Sequence, residues 1–485
     1  MPAIRGGAFL KNSGMSHAGG LQPVNRLTLA QLSRKLRSGA LSSADLLRVY
    51  LHQINEYEHR IGAWAWIDAA RAMRNARKAD NEVRHLKKPR GKLHGVPVGI
   101  KDIILTRGIP TEMGCAACRG YVPDVSAEVV MRIEQAGGFV LGKTVTTELA
   151  TQNPGKTRNP WNPLHTPGGS SSGSAAAVAA GFVPLAIGTQ TRGSVIRPAA
   201  YCGVVGFKPS YGLLPTAGVN PLSSTLDHVG VFARSVDDAA FFASILSADC
   251  APGADGAPHD VFPPNADDLR LPRHPLRLAV VRAPAWDRAE PAQKKLLHSA
   301  ARRFAAAGAS VENLDLASLL TQAVQATRAI QLGEVAAGYA AIVARDRGGF
   351  SRRFRQYVSD GLKISAADYL GALQARRRIQ QTLAAIFRRY DALLTPPALG
   401  EAPKGLTFTG DAVYCAAWTL CGLPAVSIPA GLGPLGLPLG LQIVGGYLDD
   451  WKTLLAAKWC ARQLDFSAVC PVRVSDTAPS AKNAM

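Results

Sequence analysis

Two stretches, Pro167-Gly-Gly-Ser-Ser-Ser-Gly-Ser174 and Gly188-Thr-Gln-Thr-Arg-Gly-Ser-Val-Ile-Arg-Pro198, decide how the chain is read. Between them lie residues 175–180, nearly all alanine and so helical, and residues 183–187, a short apolar run with strand character. The first stretch fits G-x-S-x-G over residues 169–173, the strand-to-helix turn that carries the nucleophile of α/β-hydrolases, with His165 or His228 as candidate base. That turn needs a strand before it. Residues 159–167 hold Pro160, Pro163 and Pro167, which a buried strand does not accommodate. The hydrolase-elbow reading is therefore set aside, and both histidines are read as loop or packing residues.

Working outward, short apolar strands at 96–100, 139–142, 276–281, 392–394, 425–428 and 439–444 alternate with helices at 125–136 and 235–246. The last helix opens with Ser235-Val-Asp-Asp238, a capping-box signature. Upstream, residues 28–37, 42–58 and 69–86 read as helices. Leu46, Leu47, Tyr50, Leu51 and Ile54 share one face of the second. Strand–helix alternation predicts an α/β fold, α/β/α in layers, with a large mixed β-sheet covered by helices on both faces. We expect a flexible tail over 1–22, one domain over 23–475 with a basic helical part at 23–90, and a second tail over 476–485. The Pro/Asp/Ala-rich residues 250–274 read as a surface connection.

The chain has 485 residues, 47% hydrophobic and 19% charged, which excludes wholesale disorder. Its net charge is +20. Residues 1–90 hold 16 basic and 6 acidic residues, and residues 340–390 hold 11 and 3. The tracts at Arg352–Arg355, Arg376–Arg378 and Arg388–Arg389 read as solvated helix faces. With no nucleic-acid motif present, a nucleic-acid partner is not expected. Eight scattered cysteines, and residues 1–22 without an apolar core, point to a reducing cytoplasm. Cys115-Ala-Ala-Cys118 has no second pair to complete a metal site. No apolar run is long enough for a membrane span. Gly137-Gly-Phe-Val-Leu-Gly-Lys-Thr144 matches the P-loop pattern, but Phe139, Val140 and Leu141 read as a buried strand, not a bare phosphate nest.

Taken together, Gly99-Ile-Lys-Asp102, the two stretches quoted first, Leu93-His-Gly-Val-Pro-Val-Gly-Ile100 and Pro198-Ala-Ala-Tyr-Cys-Gly-Val-Val-Gly-Phe-Lys-Pro209 resemble the amidase signature family. So do Ala417-Trp-Thr-Leu-Cys-Gly-Leu-Pro424 and Gly436-Leu-Pro-Leu-Gly-Leu-Gln-Ile-Val-Gly445. The likeness runs from about residue 27 to residue 464.

The resemblance implies a metal-free and cofactor-free amidase working by a Ser-cisSer-Lys relay through an acyl-enzyme. The matching residues are Ser194 as nucleophile, Ser170 as the middle serine with a cis peptide bond, and Lys101 as base. It implies an oxyanion hole from the main-chain N–H groups of Thr191, Arg192, Gly193 and Ser194. The commoner family form has Gly-Gly where this chain has Arg192-Gly193. Gln190 and the Ser-Val-Ile-Arg-Pro that follows are closer to the malonamidase-like branch. In that branch the position of Arg197 is associated with a substrate carboxylate, with Thr189, Gln190 and Gly169 as further substrate-binding candidates. An equal second reading makes Arg197 a loop anchor that bonds backbone carbonyls. The expected substrate is a small amide, or a carbamate or urea. Segments 115–121, 219–224, 332–354 and 397–411 are expected to line the pocket. A homodimer is compatible with these features. The alternative is the glutaminase A subunit of a tRNA-dependent amidotransferase.

Overall fold

The computed structural model describes residues 27–247 and 274–473, with Val24, Phe262, Leu269 and Leu271. Both expected tails and most of 250–274 lie outside these residues. Eleven strands among them build one sheet. They are β1 (Trp64–Ile67), β2 (Pro97–Lys101), β3 (Phe139–Thr144), β4 (Leu185–Gln190), β5 (Val205–Lys208), β6 (His228–Ala233), β7 (Arg277–Arg282), β8 (Ser310–Asp315), β9 (Ala392–Thr395), β10 (Ala425–Leu432) and β11 (Pro438–Val444). Their order is β1-β3-β2-β4-β6-β5-β10-β11-β9-β7-β8. Pairs β3–β2–β4 and β9–β7–β8 are parallel and the others antiparallel, so the sheet is mixed, as expected.

The helices are α1 (Leu29–Ser38), α2 (Ser43–Ile61), α3 (Ala69–Leu86), α4 (Glu128–Gln135), α5 (Ser172–Ala179), α6 (Ile196–Cys202), α7 (Val236–Ser247), α8 (Pro291–Ala306), α9 (Ala317–Arg345), α10 (Arg352–Gly361), α11 (Ala366–Phe387), α12 (Val413–Leu420) and α13 (Asp450–Leu464). Thr28 caps α1 and Ser42 caps α2, each accepting a first-turn N–H through its side-chain oxygen. No described helix is long and apolar enough to cross a membrane.

The centre of the sheet explains where the site forms. Parallel neighbours flank β2 on both sides, and all five of its residues are buried. Helix α5 lies against β2, β3 and β4, and its eight residues are all buried. Small residues permit this approach: a Cβ on Gly173 would come within 2.3 Å of the Ala63 carbonyl oxygen and Val145 N. Because β2, β3 and β4 run the same way, Lys101, Thr144 and Gln190 end together at one edge. The carboxyl ends of parallel strands are where open α/β sheets place their ligands.

Three local readings are settled here. The P-loop match fails because Phe139–Thr144 is β3. Lys143 is buried and donates to the Ile104 carbonyl (2.5 Å) and Thr111 Oγ1 (2.7 Å), 3.7 Å from Asp102. In the Ser235 box, the Ser235 hydroxyl accepts the Asp238 N–H (3.1 Å), but the Asp238 carboxylate reaches away to accept from Leu29 N–H (2.6 Å), tying α7 to α1. Cys115 and Cys118 are free thiols, and Cys115 Sγ donates to the Gly349 carbonyl (3.5 Å).

Candidate active site

Lys101 ends β2 with its side chain wholly buried. Its Nζ lies 2.7 Å from Ser170 Oγ and donates to Thr189 Oγ1 at 2.8 Å. Neither partner is a carboxylate. Burial therefore drives the amine well below the ordinary lysine range, and the more distant charge of Asp227 opposes this only in part. Asp227 is itself pushed up to about 6 by burial, against the hydrogen bonds it accepts from Thr191 and from the Leu222 and Ser223 N–H groups. A neutral amine beside a hydroxyl can accept that hydroxyl's proton.

Ser170 sits in the loop before α5, and its peptide bond with Gly169 is cis. Gly168 precedes it with φ of 82°, and a Cβ there would come within 2.9 Å of Pro198 Cα. Conformation and packing thus both require glycine at this point. The adjacent hydroxyl of Ser171 is used structurally: it donates to the Thr189 carbonyl (3.1 Å) and accepts the Thr189 N–H (3.3 Å). Ser171 N–H also donates to the Ser194 carbonyl at 3.4 Å, which holds the turn of Ser194 alongside the Ser170 loop. Ser194 Oγ makes no hydrogen bond among the described residues, and Ser194 lines a cavity of about 620 Å³.

The turn from Gln190 to Arg197 is built around unpaired main-chain donors. Among the described residues, the N–H groups of Thr191, Arg192, Gly193 and Ser194 meet no protein acceptor, whereas Gly193's carbonyl accepts the Arg197 N–H (3.0 Å). Gly193 is closely packed: a Cβ would lie 3.0 Å from Ala412 Cβ and 3.1 Å from Cys415 Cβ. Gln190 holds the shape from beneath. Its Oε1 accepts the Val195 N–H (2.8 Å) and Ile196 N–H (3.0 Å), and its Nε2 donates to Thr419 Oγ1 (2.9 Å). Thr419 in turn donates to the Arg192 carbonyl (2.8 Å). Gln190→Leu is expected to lower unfolding free energy by about 2–4 kcal/mol, because two buried N–H groups and a hydroxyl lose a partner. Chemical denaturation measures this, and an unchanged midpoint would refute the role.

The sequence-named residues divide into two groups. Lys101 and Ser170 are in contact, the Ser194 main chain is held against Ser171, and Thr191, Arg192, Gly193, Ser194 and Arg197 line the cavity. Gly169, Thr189 and Gln190, expected at the substrate, instead stand behind the cavity wall. Thr189 accepts from Lys101, Gln190 props the turn, and the Gly169 carbonyl accepts from Arg197 Nη2 (2.5 Å). Arg197 is thus a loop anchor, in line with the second of its two readings, while its Nε is buried without a partner. The expected linings at 115–121 and 219–224 contribute nothing to this cavity. Residues Thr407–Asp411 and Arg353 do, joined by Ala150–Gln152, Gln331 and the α10 face of Gln356, Tyr357 and Asp360, which sequence reasoning missed. His165 Nδ1 pairs with the Ala402 carbonyl (2.7 Å) and His228 Nδ1 with the Leu226 carbonyl (2.6 Å), while His228 Nε2 is buried without a partner, and neither ring bonds a serine hydroxyl among the described residues.

Fold and site together define an α/β/α protein with a serine–lysine cluster at the carboxyl edge of parallel strands, opening on a cavity rimmed by free N–H donors. Comparison with known proteins then narrows the class. The amidase family model matches residues 45–454. The chain is 32% identical over 475 residues to the A subunit of the glutamyl-tRNA(Gln) amidotransferase of Synechococcus sp. (strain CC9605), covering 89% of this chain and 95% of that one. A crystal structure of an amidase superposes with a TM-score of 0.79 at 29% identity, over 90% of this chain and 100% of the other. The peptide amidase of Stenotrophomonas maltophilia superposes with a TM-score of 0.77 at 27% identity, over 92% and 99%. The chain belongs to the amidase signature family.

Proposed function

We propose that this chain is a free-standing amidase that hydrolyses the C–N bond of a small amide through an acyl-enzyme. Ser194 Oγ attacks the carbonyl carbon while its proton passes to Ser170 Oγ, and the Ser170 proton passes to Lys101 Nζ. The N–H groups of residues 191–194 hold the oxyanion that forms. As the C–N bond breaks, the proton returns by the same route to the leaving nitrogen. Water then repeats the sequence on the acyl-enzyme. Carbamates and ureas present the same bond and fall within this reading. The observation that carries it is the buried, carboxylate-free Lys101 amine 2.7 Å from Ser170 Oγ. We take residues 23–475 as one catalytic domain. The seven free thiols among the described residues fit a reducing cytoplasm.

A second reading is the A subunit of a tRNA-dependent amidotransferase, favoured by relatives of that name at 30–33% identity over most of the chain. The purified chain alone discriminates. We expect labelling by a fluorophosphonate and turnover of simple amides without any partner. Turnover of glutamine alone, and then only after a partner protein is added, would favour the second reading. No labelling under either condition would sink both.

A further inference from the structure

The N–H groups of residues 191–194 meet no protein acceptor among the described residues, so side chains must hold the turn that carries them. Gln190 fixes its far end through the Val195 and Ile196 N–H groups, and Thr419 fixes its middle through the Arg192 carbonyl. Asp227 fixes its near end. The Thr191 hydroxyl donates to Asp227 Oδ1 (2.5 Å). A carboxylate only accepts, so the hydroxyl is held in one direction, and a bond to an ionised acceptor is about twice as strong as a neutral one. Thr191 lines the cavity and Asp227 does not, so the carboxylate acts from behind the wall.

Asp227 is held in its turn. Its Oδ2 accepts the Leu222 N–H (2.8 Å) and the Ser223 N–H (2.9 Å), and its own N–H donates to the Ser223 carbonyl (2.8 Å). Helix α9 ties down this loop at two points. Glu334 accepts from the Ser223 and Thr225 hydroxyls and from the Thr225 N–H (3.2 Å), and the Tyr339 hydroxyl donates to the Pro221 carbonyl (2.8 Å). No cation lies within ion-pair distance of Asp227 among the described residues, and the charge of Glu334 works against its ionisation. A carboxylate without a matching cation is a costly way to hold a loop.

We propose that Asp227 is a positioning residue: through the Thr191 hydroxyl it aims the Thr191 N–H at the oxyanion that forms on the substrate. This rests on the amidase reading above and adds the residue that sets its oxyanion hole. A donor stabilises an oxyanion fully only when it is already aimed where the charge develops. Without Asp227 the first donor of the turn loses its side-chain anchor, since Gln190 and Thr419 act further along.

The test follows inactivation by a fluorophosphonate, in which Ser194 Oγ bonds phosphorus, fluoride leaves and the phosphoryl oxygen takes the oxyanion's place. Wild type is compared with Thr191→Val, Thr191→Ser, Asp227→Asn and the double variant Thr191→Val/Asp227→Asn. Valine keeps the shape and the N–H of Thr191 and lacks only the hydroxyl. Loss of an oxyanion donor outright lowers the rate by about 10²–10³, so a misaimed one should lower it by about tenfold. Thr191→Val should reduce the limiting inactivation rate by that factor with the half-saturating concentration unchanged, and Thr191→Ser should recover most of it. Asp227→Asn should slow the same step at least as much, and the double variant should be no slower than Asp227→Asn, because both changes break one bond. A limiting rate in Thr191→Val within twofold of wild type, or losses that multiply in the double variant, would overturn the proposal. So would a lowered thermal midpoint with no loss of rate, which is what a merely structural bond gives. If Asp227→Asn does not fold, the Thr191→Val and Thr191→Ser rates decide alone. A wild type that the probe does not label would instead reject the amidase reading, and the proposal with it.

Discussion

Ser194→Ala should abolish fluorophosphonate labelling and lower amide hydrolysis by at least about four orders of magnitude, because loss of the attacking atom leaves only binding and oxyanion stabilisation. Ser194 is the one hydroxyl of the cluster that faces the cavity without a hydrogen bond among the described residues. Its neighbours give the controls. Ser170→Ala should retain the Ser194 nucleophile yet acylate far more slowly, because the contact between Ser170 Oγ and Lys101 Nζ is lost. Ser171→Ala should be destabilised by about 1–2 kcal/mol through its lost bonds to the Thr189 main chain, with labelling intact. Label mapped by mass spectrometry to Ser170 or Ser171, or Ser194→Ala activity within tenfold of wild type, would remove Ser194 from the role.

Lys101, Ser170 and Ser194 are named in the sequence through the resemblance to the amidase signature family, whose motifs here fall in segments of small or strand-forming residues. Lys101 ends a five-residue buried strand, Ser170 follows Gly168-Gly169, and Ser194 follows Gly193. Seven of the strands are anticipated within a few residues. Those missed are hidden in different ways. Trp64–Ile67 and Val205–Lys208 have only four residues, His228–Ala233 is interrupted by Gly230, and Ser310–Asp315 is a polar edge strand without apolar alternation. The substrate wall is the least legible part. Gln190 and Thr189 point inward as props, while α10 supplies Gln356, Tyr357 and Asp360 from more than 150 residues downstream of Ser194. No spacing rule connects such distant segments; the packing of α10 on α9, and of α9 on α12, does. Asp227, which fixes Thr191 and the 222–223 turn from beneath, belongs to the same class of contact.

Lys101→Met should separate catalysis from stability, and its effect on turnover should approach that of Ser194→Ala. Methionine has similar length and no basic nitrogen, so the Ser170 hydroxyl loses its proton acceptor and acylation should fall by about three orders of magnitude or more. In the wild type, acylation should fall as pH is lowered, because protonation of Lys101 removes the base. Stability follows from linkage. The folded-state pKa of Lys101 lies well below the unfolded value of about 10.4. Between the two, the unfolded chain binds the proton that the folded chain refuses, so this group makes stability rise with pH across that window. At neutral pH, which lies below the unfolded value, the lowered folded-state pKa makes Lys101 a cost to folding. Lys101→Met removes that cost, at the loss of one donor each to Ser170 Oγ and Thr189 Oγ1. The variant should therefore unfold at a temperature no lower than the wild type at pH 7, and its stability should depend less on pH above neutrality. Turnover within tenfold of wild type would eliminate Lys101 as the base. A variant that unfolds many degrees lower, with its pH dependence unchanged, would show instead that the amine is a structural cation held by its two hydroxyl partners.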